Sequence, residues 1–162
     1  MSALEETVPT VPLLWGGAWR EAQSEQFGNV YNPSTGQVIA RVPLCTTDET
    51  AEVVEAAAAA LPSWAATPVI ERARVMFRYR ELLEPRFDEL ARLVTREHGK
   101  TLAESRAEVR RGIEVVEFAC GIPGLFTGDV LPDAARGVDA EVTRHPVGVC
   151  VGITPYNFPA MV

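Results

Sequence analysis

Apolar residues follow three rhythms along the chain: they alternate near the start, return every three or four positions through the middle, and alternate again before merging into a continuous run near the end. The segment Leu14-Trp15-Gly16-Gly17-Ala18-Trp19-Arg20 sets a Gly-Gly turn between apolar flanks. Tyr31-Asn32-Pro33-Ser34-Thr35-Gly36-Gln37 sets a second turn ahead of the alternating Val38 to Val42. Each predicts a β-hairpin. Thr46-Thr47-Asp48-Glu49 has the form of a capping box, in which the threonine oxygen accepts the amide three residues on and the glutamate reaches back. Ala51, Val54, Ala58 and Leu61 follow at helical spacing, so a first helix is predicted from about Asp48 to Ala60.

Thr67-Pro68 predicts the start of a second helix, with a capping hydroxyl ahead of a proline whose missing N–H costs nothing at the first helical position. Its apolar stripe runs Met76, Tyr79, Leu83, Phe87, Leu90, Val94, and Pro85 should break it into two pieces. Gly99 is placed to end this helix in the left-handed conformation, and Thr101-x-x-Glu104 opens another with a second capping box. Val109, Ile113, Val116 and Cys120 form the predicted buried face of this third helix, which Gly121 and Pro123 should terminate. A loop through Gly124, Gly128, Asp129, Pro132 and Gly137 then leads to Val138, Ala140 and Val142, which alternate with polar residues as in a half-exposed strand. Pro146 to Ile153 reads as a strand buried on both faces. A parallel partner needs a crossover of roughly a dozen residues or more. Fewer follow Ile153, so the receiving element is expected beyond this sequence, and the chain reads as cut. No internal repeat is present, and the run Ala56 to Ala60 is ordinary helix composition.

Composition narrows the class. The 162 residues, 47% hydrophobic and 23% charged, suit an ordered globular chain with one real core. A formal charge of -7 argues against binding phosphate backbones, which takes clustered Lys and Arg. The N-terminus carries neither a basic region nor an apolar core of a leader, and no apolar run reaches membrane-spanning length, so no membrane partner and a cytoplasmic location are expected. Cys45, Cys120 and Cys150 are odd in number and widely spaced, with no C-x-x-C and no metal-ligand spacing, and read as buried thiols. No metal site is expected.

Local sequence alone gives most polar residues plain roles. Asn157 reads as a turn residue before Phe158-Pro159, and Arg111, beside Arg110 on a charged helix, as a solvated surface residue. His98 suits a cation at a helix C-terminus, and His145 a loop. Trp15, Trp19, Trp64, Phe77, Tyr79 and Phe87 suit core or subunit contacts.

Three longer blocks change that picture. Glu97-His98-Gly99-Lys100-Thr101, Arg111-Gly112-Ile113-Glu114-Val115-Val116-Glu117-Phe118-Ala119-Cys120 and Gly152-Ile153-Thr154-Pro155-Tyr156-Asn157-Phe158-Pro159-Ala160-Met161 resemble the N-terminal portion of the aldehyde dehydrogenase superfamily. Within it they are most similar to the CoA-acylating methylmalonate-semialdehyde dehydrogenases. The resemblance runs from the early hairpins to Val162. It implies an α/β fold in which β-hairpins and helices lead into the first strand of a Rossmann-like nucleotide-binding sheet. Residues 1–137 would form the hairpins and helices of the nucleotide-binding domain, 138–145 a strand of the oligomerisation region, and 146–162 the start of the sheet, with the catalytic domain absent.

The chemistry implied is attack of a cysteine thiolate on methylmalonate or malonate semialdehyde, hydride transfer to NAD, and release of propionyl-CoA or acetyl-CoA by CoA with loss of CO2. By motif match Asn157 donates to the developing oxyanion, a task for a neutral amide N–H that needs no protonation. Pro155 and Pro159 would fix the backbone on either side. Ile153, Thr154, Pro155 and Tyr156 match the stretch along the NAD, and Arg111 matches the position assigned to the substrate carboxylate, which a guanidinium fork suits. Tyr156 departs from the pattern, standing where acylating enzymes show Phe and hydrolytic ones Trp. The family's nucleophilic cysteine and its glutamate match no position here, so the chain alone is expected to be inactive. Two alternatives stay open: a hydrolytic aldehyde dehydrogenase, and a non-catalytic interaction piece. A homo-oligomer, dimer or tetramer, is implied for the full-length protein.

Overall fold

A computed structural model describes residues 8–162. The N-terminal stretch read for a leader pattern lies largely outside the described residues, which begin at Val8.

Both early hairpins form. Strands β1 (Leu13–Trp15) and β2 (Ala18–Arg20) pair antiparallel across Gly16 and Gly17, both at positive φ as a two-residue hairpin turn demands. Strands β3 (Phe27–Tyr31) and β4 (Val38–Pro43) pair across the Asn32 to Gln37 turn, where the Asn32 side chain accepts the Ser34 amide. Helix α1 (Thr47–Ala66) opens on the predicted capping box at Thr46 and Glu49 but runs six residues past Ala60, carrying Pro62 inside it. Ala66 follows Trp64 and Ala65, good enough helix formers that only the Thr67-Pro68 pair stops it. Thr67 accordingly caps the end of α1: its hydroxyl and amide donate to the Ser63 carbonyl, and Pro68 is the cap of the next helix with no side-chain bond. The expectation that Thr67 caps the second helix is thereby corrected.

Helix α2 (Val69–Leu83) gives way at Pro85 to a 3-10 turn over Glu84–Arg86, then α3 (Phe87–His98) continues to Gly99 at φ 84. Helix α4 (Leu102–Cys120) starts at the Thr101/Glu104 capping box. Gly121 ends it, but Pro123 sits inside a further short helix, α5 (Ile122–Leu125), since the second position of a helix has no N–H to lose. The core lies between α3 and α4, where Ala91, Val94, Val109 and Ile113 are buried and Leu83, Phe87, Leu90 and Leu102 close over them. The apolar side of α1 does not join it: Val54 is exposed, as are Trp19, Trp64, Phe77 and Tyr79.

Two sequence expectations fail toward the end. The loop after α5 contains a strand, β5 (Val130–Ala135), which pairs antiparallel with β6 (Val138–Glu141), and both strands are exposed on every residue. Pro132 and Gly137 obscured β5, and the Val138/Ala140 face has nothing packed on it to bury. Pro146 to Ile153 is not a buried strand. No strand pairs with it among the described residues, and Val147 is 91% exposed. A strand is defined by its partners, and without them the same β-branched run lies open. Cys150 within it is therefore exposed, as is Cys45, and of the three thiols only Cys120 is buried.

Candidate active site

The break between α3 and α4 and one face of α4 hold the last residues of the chain. Gly99 stops α3, Lys100 follows at once, and the Thr101/Glu104 box starts α4 in the register that puts Ser105, Glu108, Val109, Gly112 and Ile113 on its inner side. The apolar members meet α3. The polar ones each find a partner: the hydroxyls of Ser105 and Thr95 lie 2.9 Å apart, and Glu108 is taken up by the chain end.

Glu108 and Gly112, one turn apart, both meet Ala160. A Glu108 carboxylate oxygen accepts the Ala160 N–H at 2.8 Å. A Cβ on Gly112 would stand 2.7 Å from the Ala160 carbonyl oxygen, so only glycine permits this approach. Lys100 donates to the other Glu108 oxygen at 2.5 Å and to the Asn157 backbone carbonyl at 2.6 Å, and its ammonium lies 4.4 Å from the centre of the Phe158 ring. The Lys100 and Glu108 side chains are 17% and 2% exposed. Burial pushes the Glu108 carboxyl up, but the Lys100 hydrogen bond and charge and the Ala160 and Met161 amides together outweigh it and hold its pKa below the ordinary carboxylate value. The acid stays ionised where it is needed as an acceptor.

Beside this junction opens a cavity of about 430 Å³ lined by Lys100, Glu104, Glu108, Arg111, Phe158 and Met161 among others. Arg111 is therefore brought to the same cavity as the segment that carries Asn157. The two neighbouring arginines of α4 divide their work. Arg110 grips both Glu84 oxygens at 2.8 and 3.3 Å and stacks on Phe87, fastening α4 to the 3-10 turn. Arg111 is 68% exposed, and among the described residues its ion partner is Glu114, 3.4 Å away. Asn157 is exposed, and its side-chain amide has no hydrogen-bond partner among the described residues. Ile153, Thr154, Pro155 and Tyr156 are exposed and do not line this cavity. Lys100 and Gly112 entered the sequence reading only within the blocks that carry the resemblance, and Glu108 not at all, so none of the three was given a site role. The available signal was an acid on the buried stripe of α4 one turn before a glycine.

Known proteins with the same sequence pattern and fold give this arrangement its context. The aldehyde dehydrogenase family pattern matches residues 19–162. Malonate-semialdehyde dehydrogenase of Bacillus pumilus (strain SAFR-032) is 52% identical over 147 residues, 91% of this chain and 30% of that protein. The mitochondrial methylmalonate-semialdehyde dehydrogenase [acylating] of Arabidopsis thaliana is 47% identical over 154 residues, 95% of this chain and 25% of that one. The crystal structure of methylmalonate-semialdehyde dehydrogenase from Oceanimonas doudoroffii superposes with a TM-score of 0.90 at 42% identity, over 95% of this chain and 31% of that one. The chain thus spans about a third or less of the length of these relatives. With a family match that takes in the β3/β4 hairpin, the helical core and the docked end alike, the chain belongs to the aldehyde dehydrogenase family.

Proposed function

We propose that this chain supplies the oxyanion donor, the carboxylate clamp and part of the cofactor surface of an NAD-dependent, CoA-acylating dehydrogenase of malonate or methylmalonate semialdehyde. The observation that carries this reading is the cavity shared by Arg111 and the Asn157 segment, together with relatives named for those two substrates. In the reaction a cysteine thiolate adds to the aldehyde carbon, and the Asn157 amide N–H donates to the oxygen on which charge develops. Arg111 holds the substrate carboxylate through its paired N–H groups. Hydride leaves the same carbon, the thioester remains, its carboxylate departs as CO2 while the α-carbon takes up a proton from water, and the CoA thiol displaces the cysteine, which leaves as thiolate. Ile153 to Tyr156 fit a dinucleotide laid along them: Ile153 and Tyr156 are 88% and 89% exposed, and no strand pairs with this stretch among the described residues. NAD, when bound, supplies the hydride acceptor.

The test is steady-state kinetics of the complete gene product with Arg111→Leu. The KM for malonate semialdehyde should rise on the order of tenfold or more, as expected when a charge-assisted pair is lost, while propanal, which has no carboxylate, should be little affected. Equal effects on both aldehydes would remove Arg111 from the substrate site. The hydrolytic reading keeps the same cysteine and Asn157 chemistry and differs in the acyl acceptor, water in place of CoA.

A further inference from the structure

We infer that Lys100 and Glu108 are positioning residues for Asn157: a buried ion pair that fixes the backbone of the docked segment at two points and so sets where the Asn157 side chain can stand. The inference rests on the reading of Asn157 as oxyanion donor. No hydrogen bond holds the Asn157 side chain among the described residues. Among the described residues the stretch Pro146 to Tyr156 has no strand partner, and Asn157 itself is exposed. Pro155 and Pro159 restrict local torsions but do not tie the segment to α4. The polar ties are the Lys100 bond to the Asn157 carbonyl and the Glu108 bond to the Ala160 amide, three residues apart on the segment, and both meet in one ion pair. Gly112 completes the seat by letting the Ala160 carbonyl lie against α4.

The two members are unequal by geometry. Loss of Lys100 frees the Asn157 carbonyl but leaves the Ala160 bond, whereas loss of Glu108 removes the Ala160 bond and also the anchor of Lys100. A displacement of about 1 Å at a reacting group can lower a rate by about a hundredfold, so the consequence for an oxyanion donor is measurable.

Two measurements test this. In the 162-residue chain, exchange of the Ala160 amide hydrogen should be at least about tenfold slower than in Glu108→Ala, consistent with a bond to a buried carboxylate. Equal rates would overturn the docking. In the complete gene product, Lys100→Met and the isosteric Glu108→Gln, each with an unchanged far-UV circular dichroism spectrum, should lower kcat by about tenfold to a hundredfold with a smaller change in KM. Neither should lower it further in an Asn157→Ala background, because both act through that side chain. Losses that multiply with that of Asn157→Ala would overturn the positioning role. An Asn157→Ala enzyme of undiminished kcat would overturn the oxyanion reading and the positioning role with it, while the exchange result would still judge the docking.

Discussion

Two buried glutamates do related work, Glu49 in the first turn of α1 and Glu108 in α4. Glu49 accepts the Gln23 amide at 2.5 Å and the Thr46 amide at 2.9 Å, so one side chain both caps α1 and ties down the segment after β2. Its pKa is lowered, chiefly by the Thr46 and Gln23 backbone hydrogen bonds, against the opposing effect of burial. A carboxylate whose folded pKa is depressed adds stability above its unfolded pKa and loses it as pH falls through the folded one. The stability difference between the native chain and Glu49→Gln, read from urea midpoints, should therefore be largest at neutral pH and shrink as pH falls below the ordinary carboxylate range. A difference that grows on acidification would contradict the assignment. The capping half of Glu49's role was legible in the Thr46-x-x-Glu49 spacing, whereas its bond to Gln23, 26 residues earlier, is a tertiary contact that no local pattern encodes. Glu108 repeats the lesson, since its partners Lys100 and Ala160 come together only once the chain end has docked.

At the scale of elements, local chemistry set the starts and stops of the helices. Both capping boxes, the Gly99 terminator and the Pro85 break stand where spacing placed them, because each is decided within four residues. Thr101→Ala should lower stability by about 1 kcal/mol in denaturant unfolding, the usual loss for an N-cap. Ile113→Ala, in the wholly buried α3/α4 seam, should lower it by about 2–5 kcal/mol by the same measurement, while the exposed Val147→Ser should change it by less than about 0.5 kcal/mol. If Val147→Ser matched Ile113→Ala, the open state of the 146–153 run would be wrong. That run and β5 are the strands sequence reading got wrong, for one reason: strands are made by non-local partners, and hydrophobic alternation alone shows neither whether a partner exists nor whether a face is covered.

For the whole molecule, the consequence is a helical core flanked by open apolar surface. Val147, Val151, Ile153 and Tyr156 lie exposed in sequence order, and Val130, Leu131 and Val138 add to this on the β5/β6 hairpin. Such surface and an unpaired strand-forming run favour association. Sedimentation velocity of the 162-residue chain should show mass rising with concentration. A monomer at every concentration, unfolding in one sharp cooperative transition, would contradict this. The central claim is chemical, however, and the most direct measurement is of product. The complete gene product is incubated with malonate semialdehyde and NAD, with and without CoA, and NADH and thioester are quantified together. The account predicts acetyl-CoA formed in step with NADH and turnover that depends on CoA. NADH formed at the same rate without CoA, with a free acid as product, would contradict the acylating assignment.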